Sequence, residues 1–66
     1  MNDYEQRVIN AAINRMPEQK LKAYLVSATE LLKNMDKHPN HWPDFCVERH
    51  SFYVQALVNR IEFVAI

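Results

Sequence analysis

Asp44 to Ile66 reads DFCVERHSFYVQALVNRIEFVAI. It is about one third of the chain and has no internal Gly or Pro. Its apolar residues recur at helical spacing on two sides. His50, Tyr53, Val54, Leu57, Ile61 and Val64 make a first stripe. Phe45, Phe52, Ala56 and Phe63 make a second, set apart by roughly a third of a turn at about 100° per residue. One partner helix can use only one of these stripes. The stretch therefore predicts a long helix that needs cover from two directions.

A partner for the first stripe lies upstream. Leu21, Leu25, Ala28, Leu32 and Met35 alternate spacings of four and three, the rhythm of antiparallel hairpins and coiled coils. Tyr24 and Leu31 are expected to widen this seam. Lys22, Ser27, Glu30 and Lys33 fall opposite, with Val26 the apolar exception. Between the two helices stands DKHPNHWP, residues 36–43. Its two prolines and one asparagine end the second helix and let the chain return antiparallel. Trp42 is expected to plug that end of the hairpin, since its indole is too large to leave in water without reason.

A shorter first helix precedes this hairpin. Tyr4, Val8, Ile9, Ala12, Ile13 and Met16 follow helical spacing. Asn2 or Asp3 can cap it, and Asp3 as cap would place Gln6 at the capping-box position. Pro17 pushes Met16 out of helical geometry and suits the first position of the next helix. The expected architecture is all-α: an antiparallel hairpin of about 17–36 and 44–65, with a short helix of about 3–15 in front. All 66 residues then form a single helical domain.

Composition narrows the function. Eight basic and eight acidic residues balance. Nucleic-acid binders draw affinity from a basic excess that displaces counterions from phosphate, and none is visible. A small DNA-binding regulator, reading DNA with the last helix, is the alternative. It is disfavoured because Glu48 and Glu62 sit among the polar residues that would face bases. The complete absence of glycine removes phosphate-cradling loops and favours helices over tight turns. No segment approaches the roughly 20 apolar residues that span a bilayer. The N-terminus lacks the basic-then-apolar order of a signal peptide. Cys46 is the only cysteine, so a reducing cytoplasm is the expected compartment.

His38, His41, Cys46 and His50 lie within thirteen residues, and Cys46 and His50 are neighbours at i,i+4. These four are the candidate metal ligands. Structural zinc sites carry at least two cysteines as a rule, and this spacing matches no such motif. The expectation is packing: Cys46 as a small hydrophobe, His50 in the helix seam, the loop histidines solvated, with no metal and no cofactor. A Cys–His nucleophile would also need an orienting group, oxyanion donors and a pocket, so no catalytic residue is expected.

A chain this short buries only about 60% of the surface its unfolded form exposes. Small cores of this kind commonly lean on a partner. The first helix is too short to cover the whole second stripe. Phe45, Phe52, Ala56 and Phe63 are thus the expected interface, with a homodimer as the simplest partner and Phe52 and Phe63 at its centre. The alternative is a monomeric three-helix core in which the first helix packs on the three Phe rings. The apolar C-terminus, Phe63-Val64-Ala65-Ile66, points the same way.

The opening MNDYEQRVINAAINRMPEQ, the HPNHWPDF loop and the absence of glycine resemble the small all-helical accessory proteins of lambda-like phages. These are encoded in the early region between the exonuclease and excisionase genes. The resemblance implies a non-enzymatic factor that acts on host or phage regulators through protein contacts. It assigns no site residue.

Overall fold

The computed structural model describes residues 1–65. It is all-α: α1 spans Asp3–Asn14, a 3-10 turn Glu18–Lys20 leads into α2 at Leu21–Lys37, and α3 spans Asp44–Ala65. No strand occurs among the described residues. The antiparallel hairpin of α2 and α3 and the short helix before it are as the sequence predicts.

The caps refine the predicted boundaries. Asn2, not Asp3, caps α1: its side chain accepts from the Glu5 backbone N–H at 2.8 Å. That places Glu5 rather than Gln6 at the third position. Pro17 stands one step earlier than expected. It lies outside the helix in extended geometry, φ −61° and ψ 134°. Its carbonyl accepts from Lys20 N–H at 3.0 Å, which closes the 3-10 turn before α2 begins. The corner between α1 and α2 is therefore real, and the two are not one kinked helix.

α3 is the central element. It packs against α2 on one side and α1 on the other, while α1 and α2 touch little. The Cα trace measures 38 × 25 × 15 Å, and side chains from all three helices meet in one core. The two stripes of α3 are explained by this placement: one meets α2, the other α1.

The core is Ile13 from α1, Leu21 and Ala28 from α2, and Ala56 and Leu57 from α3. Met35 is also buried. In α2 the buried set Leu21, Ala28 and Met35 repeats every seven residues, so a single seam faces α3. Leu57, fully enclosed, is worth about 1.5–3 kcal/mol by apolar burial alone. Tyr24 and Leu31 do not widen the seam as expected. Both are 39% exposed, whereas Leu25 on the opposite flank of that seam packs against the core.

Candidate functional site

The side of α3 that carries Phe45, Phe52, Ala56 and Phe63 is the candidate surface, and α1 divides it. Arg49 Nε donates to Glu5 Oε2 at 2.8 Å, a link across 44 residues. The Met1 amino group pairs with Glu48. At the other end of α1, Ile13 and Asn14 line a groove with Ala56 and Arg60. α1 therefore runs parallel to α3, beside its residues 47–58 or so.

Length then decides which aromatic residues are covered. The 12 residues of α1 extend about 18 Å at 1.5 Å each. Phe45 and Phe63 lie about 27 Å apart along α3 by the same rise. One falls before the start of α1 and the other after its end. Phe45 is 57% exposed and Phe63 73% exposed. Ala56 is buried at 9% and Phe52 packs against the core from a half-buried position. The four expected interface residues thus separate into two exposed rings and two residues that α1 covers within one chain.

The Phe45 end is structured by charge. The Arg49 guanidinium lies 5.4 Å from the Phe45 ring centroid, within cation–π range. The same arginine holds the Glu5 carboxyl below the usual carboxylate range, mainly through its hydrogen bond. Glu5 in turn raises Arg49. Glu48 raises the Met1 amino group in the same way. Tyr4 and Val8 line a shallow depression with Arg49, and both are exposed. Helical spacing puts both in the apolar stripe of α1, so their exposure departs from that expectation.

The Phe63 end is different. Asn10 and Asn14 from α1 face Asn59, Arg60 and Phe63 of α3 across a groove floored by Ile13 and Ala56. Gln55 donates to Asn59 Oδ1 at 3.1 Å. Arg60 Nε is buried without a hydrogen-bond partner among the described residues. The amide pair at i,i+4 on α1 was the available sequence signal for this groove. It reads equally well as a solvated face.

The histidine–cysteine cluster does not converge. Among the described residues, no group of three or more His, Cys, Asp or Glu side chains is placed to hold a metal ion. His50 Nε2 donates to the Ala28 carbonyl of α2 at 2.6 Å, and its ring stacks on Tyr53 with centroids 5.9 Å apart. It lies in the helix seam, as expected. Cys46 is half-buried and unpaired. His38 and His41 are exposed in the loop, where His41 meets the Trp42 ring edge-on at 5.5 Å. Trp42 is half-buried and borders Met35, Cys46, His50 and Tyr53 at the closed end of the hairpin, which is the place predicted for it. No helix among the described residues is long and apolar enough to cross a membrane. Ile66, the last residue of the apolar C-terminus, lies outside the described residues. Comparison of the chain with protein-family models, with curated proteins and with solved structures gave no match.

Proposed function

We propose that this chain is a small non-enzymatic interaction protein that works by self-association and by contact with other proteins through α3. The observation that carries the reading is the pair Phe45 and Phe63, both largely exposed on one side of the same helix. Phe45 adjoins exposed Tyr4 and Val8 around Arg49, and a contiguous apolar patch marks an interaction site. Aromatic side chains also dominate the energy of interfaces. The homodimer is the simplest assembly, since a twofold axis offers each ring a copy of the same surface. The likeness to phage early-region accessory proteins supplies the setting: a factor in the host cytoplasm acting on host or phage regulators.

Sedimentation at micromolar concentration tests this reading. The expected result is a dimer that Phe63→Ala weakens at least tenfold, the size of a single aromatic anchor. A strict monomer at every concentration would overturn the dimer.

A further inference from the structure

We infer that the groove at the Phe63 end of α3 takes a partner segment bearing a carboxylate next to an apolar side chain. This deepens the interaction reading above and rests on it. Five side chains form the rim: Asn10 and Asn14 from α1, and Asn59, Arg60 and Phe63 from α3. Among the described residues no carboxylate lines the groove. Neither ion pair found among those residues involves Arg60. Arg60 is half-buried and lines the groove. Its Nε is itself closed off without an acceptor among those residues, so an incoming group meets the remaining guanidinium N–H groups. A carboxylate is the acceptor that meets a guanidinium most strongly, and among the described residues the groove supplies none of its own.

The remaining groups fit the rest of such a segment. Phe63, 73% exposed, offers an apolar platform one helical turn from Arg60. The side-chain amides of Asn10 and Asn14 stand one turn apart along α1, and each can both donate to and accept from a peptide backbone. Asn59 accepts from Gln55, which leaves its own NH₂ available. A nucleic-acid phosphate is a poorer occupant. It would meet one cation and no second basic side chain in the groove, whereas phosphate backbones are held by several. The segment occupies the same ring that a second copy would use, so the peptide complex and the dimer exclude one another.

The probes are two short capped peptides, acetyl-Leu-Glu-Leu-amide and its Gln counterpart, titrated into the ¹⁵N-labelled full chain. The expected result is movement of the Asn10, Asn14 and Asn59 side-chain amide signals with the Glu peptide. Its affinity should exceed that of the Gln peptide by at least tenfold. Arg60→Gln, with helix content checked by circular dichroism, should abolish that difference. Arg60→Lys should keep part of it. Equal response to both peptides, or none, overturns the groove. Sedimentation of the same samples separates the two ideas. A dimer that ignores the carboxylate keeps the self-association reading and removes this one. A chain that is monomeric throughout yet selects the Glu peptide does the reverse.

Discussion

Phe45 and Phe63 project from the same side of α3. They stand 18 positions apart, which is about five full turns at 3.6 residues per turn. α1 lies between them along the helix and covers neither. The exposure of these two rings thus follows a mismatch in length: a helix of 22 residues flanked by one of 12.

That mismatch predicts which members of the second stripe support the fold. Phe52→Ala should destabilise the chain by about 2–3 kcal/mol, below the ~3–5 typical of a fully buried Phe, because its ring is only partly enclosed. Leu57→Ala should cost about 2–5 kcal/mol. Phe45→Ala and Phe63→Ala should stay within about 0.5 kcal/mol of the parent, as surface changes do. Urea unfolding at a concentration where the chain is monomeric is the check. A large loss from Phe63→Ala there would mean that Phe63 belongs to the core.

The link between α1 and α3 has a pH signature. Glu5 is held below the usual carboxylate range by Arg49, so the folded state favours its ionised form. Its contribution is present above the unfolded carboxylate value of about 4.3. It is lost as pH falls through the lower folded value. Stability of the parent should therefore drop more steeply from pH 5 to 2 than that of Glu5→Gln. Both partners are solvent-exposed, so 1 M salt should shrink the difference. Parallel pH curves for the two proteins would remove Glu5 from the account.

Much of this architecture is legible in the residues. The seven-residue repeat Leu21, Ala28, Met35 fixes one seam, and the two prolines of the loop fix the turn. The two apolar sides of α3 announce two neighbours. What the sequence does not carry is the offset between α1 and α3. Sequence spacing locates residues around a helix axis, not along a neighbouring helix. The offset shows in Glu5 and Arg49, an exposed pair that no periodicity marks. Without it, Phe52 and Ala56 look as available as Phe45 and Phe63. The same limit hides the Arg60 groove, whose parts come from two helices at opposite ends of the chain.

His50 gives a third prediction, on the cluster that first suggests metal. Its Nε2–H bridges α3 to the Ala28 carbonyl of α2. A net hydrogen bond of this kind contributes about 0.5–1.5 kcal/mol, and stacking on Tyr53 adds to it. His50→Ala should destabilise the chain by about 1–2 kcal/mol, while His38→Ala and His41→Ala stay near neutral. A slowly exchanging imidazole Nε2–H resonance should appear in the parent and vanish in His50→Ala. If all three histidine variants lose the same stability, and added zinc restores it in the parent alone, the donors converge and packing is the wrong account.

The α2 seam gives the last prediction, and it turns on two pairs of residues of similar character. Leu25 and Leu32 are half-buried and flank the buried line Leu21, Ala28, Met35 on one side. Tyr24 and Leu31 flank it on the other side and remain 39% exposed. Hydropathy alone ranks the leucines together. Position relative to α3 does not, because side chains turned from the packed flank keep most of their hydration. Leu25→Ala and Leu32→Ala should each cost about 1–2 kcal/mol, a partial-burial share of the full core penalty. Tyr24→Lys and Leu31→Lys should change stability by no more than about 0.5 kcal/mol, since each can extend its stem over the surface and leave its charge in water. Thermal unfolding of the four variants reads the order directly. If Leu31→Lys proves as damaging as Leu25→Ala, that flank is covered in solution and α2 packs by more than the single seam.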